Sequence, residues 1–235
     1  MRFMTFNTQH CLNFLEQKID FNIMARTINE VGADIVGLQE MRGRGESIEY
    51  DDQTARLSER TALKYRYFGK AIYFENLGPY GNSVISKNPI VSAKVIPIPD
   101  PDPKTGDKYY ETRALLKLRY QGGITVMITH FGLNEDEQRN AVQTIVENLE
   151  PERCVLMGDF NLTPDSEILK PIKEKMVDTA DFCSSECLTF PSDKPYEKID
   201  YIFVTPDVKV LSAEAVNIVA SDHRPFVAEL DLEIK

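Results

Sequence analysis

Apolar and polar residues alternate from Arg2 to Asn7, the period of a half-buried strand. The period then changes. Phe21, Met24, Ile28 and Val31 recur at helical spacing, with Asp20 placed to cap that helix and Gly32 to end it. Asp34 to Glu40 reads as a buried strand carrying Ile35, Val36 and Leu38. Residues 52–63 read as a second helix, and short strands are expected near 65–74, 82–87 and 90–96. Pro97, Pro99, Pro101 and Pro103 forbid a regular ladder and mark a loop. Ala114–Tyr120 and Ile124–His130 flank Gly122-Gly123, a hairpin signal. Asn134 with Glu137 resembles a capping box, and Ala141, Val142, Ile145, Val146 and Leu149 give the helix behind it an apolar face. Arg153–Met157, Ile199–Val204, Val208–Ala215 and Phe226–Leu232 complete the strands. Strict βαβ alternation does not fit this order; two packed sheets with helices outside fit better. No repeat, low-complexity tract or linker interrupts it, so residues 1–235 are read as a single domain.

Composition changes this picture little; charge changes it more. Apolar residues make up 42% and charged residues 27%, an ordinary globular balance. The net charge of −10 argues against a stable coat on nucleic acid. It leaves room for an enzyme that holds one phosphate briefly, because a bound cation changes the local field. No run reaches the length of a membrane span, and the first residues lack the apolar centre of a signal peptide. The expected location is cytoplasmic. Cys11, Cys154, Cys183 and Cys187 are accordingly expected as thiols rather than bridges, with Cys154 in the core. Cys183 and Cys187 suggest half a zinc site, but no second Cys or His pair completes it.

Polar residues recur where apolar strands end. Asn7, Glu40, His130 and Asp159 close strands; Arg113, Asp200 and the pair Asp222-His223 open them. In antiparallel sheets the end of one strand lies beside the start of another, so these positions can share one rim. Glu40, Asp159 and Asp222 are carboxylates, Asn7 and Asn161 offer amide oxygens, and Asp159 and Asn161 point the same way in extended chain. Hard oxygen donors select Mg2+, Mn2+ or Ca2+. His130 and His223 remain for proton transfer or phosphoryl contact. Each residue alone is more ordinarily a solvated turn, a cap or a surface ion pair. Their joint pattern points to water attack on a phosphoester.

At Gly158-Asp159-Phe160-Asn161 and Ser221-Asp222-His223-Arg224-Pro225 the chain resembles the endonuclease/exonuclease/phosphatase superfamily. Thr5-Phe6-Asn7, Gly37-Leu38-Gln39-Glu40, Gly81-Asn82-Ser83-Val84-Ile85-Ser86, Thr129-His130-Phe131 and Lys198-Ile199-Asp200-Tyr201-Ile202-Phe203 resemble its other motifs, in its order, across essentially the whole chain. The resemblance implies a four-layer α/β sandwich, with two mainly antiparallel sheets face to face and helices outside. It implies a magnesium-dependent (or manganese-dependent) phosphoester hydrolase, with Glu40, Asn7 and Asp222 around the cation. Asp159 and Asn161 would position the water and the phosphoryl group. His130 and Arg113 would contact phosphate oxygens, and Asp200 would orient His223. Asp159 and His223 are both candidate bases; the pairing with Asp200 favours His223.

Substrate choice is expected in loops around the rim. Met41 to Glu46 carries Arg42 and Arg44, which can grip a second phosphate or a polar head group. Phe74–Tyr80 is punctuated by Gly and Pro, and Pro97–Thr112 carries Lys104, Lys108, Tyr109 and Tyr110. With no long basic insertion, the expected substrate is a small phosphodiester, a phosphomonoester or a nucleic-acid end. Two alternatives stand beside this reading: a catalytically silent binding module, and a zinc hydrolase using His130, His223 and Asp159.

Overall fold

Local capping explains where the helices begin. Asp20 accepts hydrogen bonds from the Asn22 and Ile23 amides and starts α1 (Phe21–Val31), which Gly32 ends at φ 69°. Asp52 caps α2 (Gln53–Arg60) through the Ala55 amide. Asn134 and Glu137 form the expected capping box at the head of α3 (Glu135–Asn148), and a short α4 spans Lys170–Lys173.

The computed structural model describes residues 1–45 and 51–234. Its strands are β1 (Arg2–Asn7), β2 (Leu12–Asn13), β3 (Lys18–Ile19), β4 (Ile35–Arg42), β5 (Tyr65–Phe74), β6 (Gly78–Ser86) and β7 (Ile90–Pro97) in the first part of the chain. The second part adds β8 (Ala114–Tyr120), β9 (Thr125–His130), β10 (Cys154–Asp159), β11 (Val177–Asp178), β12 (Asp200–Val204), β13 (Val210–Ala215) and β14 (Phe226–Leu230). They build two six-stranded sheets, ordered β13-β14-β1-β4-β6-β5 and β11-β12-β10-β9-β8-β7, plus the small β2–β3 ribbon. Within each sheet one central pair, β1–β4 or β9–β10, is parallel and the other pairs are antiparallel.

Three apolar clusters define the layers. Phe3, Ile35 and Val84 of the first sheet meet Leu118, Ile128 and Met157 of the second between the sheets. Met4, Val36 and Leu38 face Met24 and Ile28 of α1, while Met127, Leu156 and Phe203 face Ala141 and Ile145 of α3. The α/β sandwich with helices outside two facing sheets is therefore the fold. Fully burying each large side chain contributes roughly 1.5–3 kcal/mol, so each of the three clusters adds substantially to the attraction between its layers.

Several local expectations are corrected. Phe74–Tyr80 is not an open loop, because β5 and β6 pair as far as Phe74 opposite Gly78. β4 runs on to Arg42, whose guanidinium lies 4.9 Å from the Phe74 ring centre and 4.6 Å from that of Tyr80. Arg42 is thus buried among rings rather than carried on a solvated loop. Arg44 is exposed, and Glu46 lies outside the described residues. Cys183 and Cys187 are not thiols but a disulfide: the short turn between them brings their Cα atoms to 6.6 Å, within bridging reach. Cys11 and Cys154 are free and buried. Among the described residues no helix is long and apolar enough to cross a membrane.

Candidate active site at the seam of the two sheets

Side chains alternate along a strand, so positions two apart share a face. The inward row of β1 runs Phe3, Thr5, Asn7; those of β9 and β10 run Val126, Ile128, His130 and Val155, Met157, Asp159. On β12 the row runs Val204, Ile202, Asp200. Each row turns from apolar to polar at the same edge, because Asp159 pairs with His130 on one side and Asp200 on the other. There a side-chain amide joins the two sheets. Asn7 Nδ2 donates to Asp159 Oδ2 at 2.9 Å across the seam and to Glu40 Oε1 at 3.0 Å beside it. The Asn7 oxygen is taken by the Gln9 amide at 3.0 Å, so Asn7 spaces the acids with its nitrogen.

Alternation alone would aim Glu40 outward with Leu38. A register shift between Leu38 and Met41, with φ 60° at Glu40, turns its carboxylate into the seam. Positive φ is uncommon outside glycine, yet Gln9, His10, Cys11 and Asn161 adopt it too, at 47°, 47°, 64° and 49°. Asn161 is held by Asp159 Oδ1, which accepts its amide at 2.9 Å, and by its side-chain bond to the Phe131 carbonyl at 3.0 Å.

The two buried imidazoles are held in opposite states. His223 Nδ1 donates to Asp200 Oδ2 at 2.8 Å, so its proton on that nitrogen is fixed. Burial disfavours the charged ring, but the Asp200 and Asp159 charges outweigh burial and push the His223 pKa up to about 10. Arg113 Nη1 lies 2.9 Å from His130 Nδ1 and must donate, which leaves the ring proton of neutral His130 on Nε2. Burial and the Arg113 charge drive the His130 pKa well below its usual value. Arg113 is itself paired with Glu111 at 2.5 Å. Both imidazoles aim Nε2 at Asp159 Oδ2, from 3.5 Å for His130 and 3.6 Å for His223.

The acids respond to their surroundings differently. Burial raises the Asp159 pKa, and Asp200 adds to the rise against the pull of His223 and Asn7. Burial and the Glu40 charge raise Asp222, although Ser221 Oγ donates to it at 2.9 Å. For Glu40 burial is outweighed by the His10 and His130 imidazoles and the Asn7 amide, which hold its pKa at about 2. Ligand atoms of Asp159, Asp200 and His223 lie within 4.8 Å of one another and can hold a metal ion. Among the described residues, buried Asp200 Oδ1 has no hydrogen-bond partner. Glu40, Asp159, Asp200 and Asp222 together bring more negative charge than His223 offsets, since Arg113 is engaged by Glu111. An oxygen-rich, net-negative donor set of this kind fits a hard divalent cation.

All nine strand-edge candidates, Asn7, Glu40, Arg113, His130, Asp159, Asn161, Asp200, Asp222 and His223, are drawn into this network of contacts and mutual charges. Arg42 packs on rings and its charge is felt by Glu111, the partner of Arg113, while the Arg44 charge is felt by Asp51. In the proline loop, Tyr110 OH bonds Asp136 at 2.7 Å and packs that loop onto α3. Two neighbours escaped the sequence reading. His10 Nδ1 lies 3.9 Å from Glu40 Oε2, and Glu111 holds Arg113. The signals were slight: a histidine three residues after Asn7, and an acid two before Arg113.

Comparison with known proteins agrees with this geometry. Residues 4–223 match the model of the Endonuclease/Exonuclease/phosphatase family. The chain belongs to that family, whose members are metal-dependent phosphoesterases. No curated protein matches the sequence. Among solved structures, it is similar to an endonuclease/exonuclease/phosphatase from Beutenbergia cavernae, with 23% identity, TM-score 0.76, and 98% of this chain and 71% of that one covered. A mannosyl-6-phosphatase from Bacteroides thetaiotaomicron is 17% identical at TM-score 0.78, with 99% and 100% covered. An AP endonuclease from Archaeoglobus fulgidus is 17% identical at TM-score 0.69, again with 99% and 100% covered. At such identities the likeness is one of fold.

Proposed function

We propose that the chain hydrolyses phosphoesters with a divalent cation, Mg2+ or Mn2+, held by Glu40 and Asp222 beside the spacing amide of Asn7. The observation that carries this reading is the Asn7 bridge, which brings Glu40 and Asp159 together from different sheets beside the Asp200–His223 pair. When bound, the cation neutralises phosphoryl oxygens and so favours the crowded transition state. The remaining chemistry belongs to the side chains. Asp159, between the two imidazoles, orients the attacking water and accepts its proton. Asp200 holds the Nδ1 proton of His223, and the Asp200 and Asp159 charges favour a second proton on Nε2, which faces the seam and can be donated to the phosphoryl group; this favours Asp159 over His223 as base. His130 donates from Nε2, with Arg113 fixing that tautomer, and Asn161 completes the phosphate contacts.

The test is hydrolysis of bis(p-nitrophenyl) phosphate and p-nitrophenyl phosphate with Mg2+, Mn2+ or chelator. A phosphorylated mannose and DNA with an abasic site belong in the panel, given the activities named for the structural neighbours. Glu40→Ala, Asp159→Ala and His223→Ala should each lower kcat/KM by roughly 10²-fold or more. Full activity in chelator would contradict the proposal.

A further inference from the structure

The Asp200–His223 contact joins two sheets, and strand pairing alone secures neither of its ends. Asp200 opens β12 and pairs with Asp159 on one side. On the other side, among the described residues, β11 pairs with β12 only at Phe203 and Val204, short of Asp200. His223 lies in the segment that leads into β14, in the opposite sheet, and its Nδ1 donates to Asp200 Oδ2 at 2.8 Å.

Thr189 stands where a neighbouring strand would otherwise hold Asp200. Its hydroxyl oxygen accepts from the Asp200 amide at 3.3 Å and from the Ile199 amide at 3.4 Å, one acceptor with two lone pairs shared by two donors. Its carbonyl accepts from the amide of Arg224, next to His223, at 2.8 Å. The same residue thus joins the acid to the ring that the acid orients, by side chain on one side and by main chain on the other. Thr189 is fully buried, so water does not readily replace it, and its branched Cβ restricts its rotamer. The residues behind it extend this clasp. The Phe190 ring centre lies 4.9 Å from that of His223, the Ser192 amide donates to the Asp222 carbonyl at 2.7 Å, and Ser192 Oγ donates to the Ser221 carbonyl at 2.6 Å.

We propose that Thr189 is a positioning residue for the Asp200–His223 pair. Its hydroxyl fixes the strand end that carries the Asp200 carboxylate, and through it the direction of the His223 ring. The kinetic consequence rests on the phosphoesterase reading. Nε2 of His223 must point into the seam to serve a phosphoryl group, and a misplacement of about 1 Å can cost on the order of 10²-fold. Valine fills the same space but accepts no hydrogen bond, so in Thr189→Val the end of β12 has to shift for its amides to find other partners.

The test compares isosteric variants. On bis(p-nitrophenyl) phosphate with Mn2+, Thr189→Val should lower kcat about 10-fold or more with KM within about twofold. It should also shift or broaden the downfield Nδ1 proton resonance of His223, assigned by its loss in His223→Gln. Thr189→Ser should restore both. Thr179→Val is the control for a purely structural loss: that hydroxyl is also fully buried and donates to the Ile202 carbonyl of the same strand at 2.8 Å. It should keep kcat within about twofold and leave the resonance in place. Unchanged kcat or an unmoved resonance in Thr189→Val, or an equal loss in Thr179→Val, overturns the proposal and leaves the phosphoesterase reading standing. If wild type hydrolyses no ester, that reading falls, and the resonance alone decides on Thr189. If Thr189→Val does not fold, Thr189→Ser carries the test, and loss of the resonance in it overturns the proposal.

Discussion

Replacing Asn7 with alanine removes two hydrogen bonds to carboxylates, at 3.0 Å to Glu40 and 2.9 Å to Asp159. Bonds to charged groups contribute roughly 1.5–3 kcal/mol each, so the gross loss is on the order of 3–6 kcal/mol. Asn7 and Asp159 are each 1% exposed, so water does not readily stand in for the amide. Burial has already moved Asp159 toward its neutral form, which weakens its share of the loss. The lower end, about 3 kcal/mol, is therefore expected, equivalent to roughly 6–12 °C in Tm for a chain of this size. The assay is urea unfolding in chelator followed by circular dichroism, since the chain has 0 Trp to report by fluorescence. Thr5→Val is the control. Its hydroxyl donates to Gln39 Oε1 at 3.1 Å within the same sheet, a neutral bond expected to contribute about 1 kcal/mol. Added Mn2+ should narrow the Asn7→Ala deficit, because a cation between the acids offsets the repulsion that the amide otherwise screens. An Asn7→Ala loss below about 0.5 kcal/mol in chelator, or no larger than that of Thr5→Val, refutes the claim that this amide ties the sheets together.

Asp200→Asn should lower kcat by roughly 10²–10⁴-fold; unchanged turnover would show that the carboxylate does not set the His223 ring. Burial lowers the Lys198 pKa from 10.5 to about 8 despite its ion pair with Asp178 at 3.0 Å. Between those values the unfolded chain binds more protons than the folded one, so this group makes stability rise with pH, by on the order of 3 kcal/mol across the window. Lys198→Met should flatten that rise in a denaturation series from about pH 8 to 10.5, and an identical slope in the variant is the contrary result. Thiol titration of the unfolded, unreduced chain should count Cys11 and Cys154 alone, with all 4 cysteines reacting after reduction; four thiols without reductant would remove the Cys183–Cys187 bridge.

Much of the site was readable because the same alternation that builds the core carries on to its edge. Phe3-Thr5-Asn7 and Val155-Met157-Asp159 are each one inward row, and their last members had to meet once the sheets faced each other. Glu40 reaches the seam by a route that strand periodicity does not give. Period two sends it outward, and the bulge that reverses it depends on pairing with a strand some forty residues later. The same distance hid Arg42, whose ring partners Phe74 and Tyr80 come from that hairpin. His10 was passed over because three left-handed residues in a row leave no trace in composition when none is glycine. The disulfide was missed because redox compartment, the usual guide to cysteines, says nothing about a turn that happens to place two of them in reach.

Neither sheet owns a complete set of reacting groups. Asn7 and Glu40 sit on one and His130, Asp159 and Asp200 on the other, while His223 leads into β14 of the first yet is gripped by Asp200 of the second. Turnover should therefore vanish as soon as the layers slide past each other by a fraction of a side chain, well before either sheet melts. In a heating or denaturant series the proposed hydrolysis would go silent first and the dichroism later, which would make it a gauge of how the two halves of this molecule are docked.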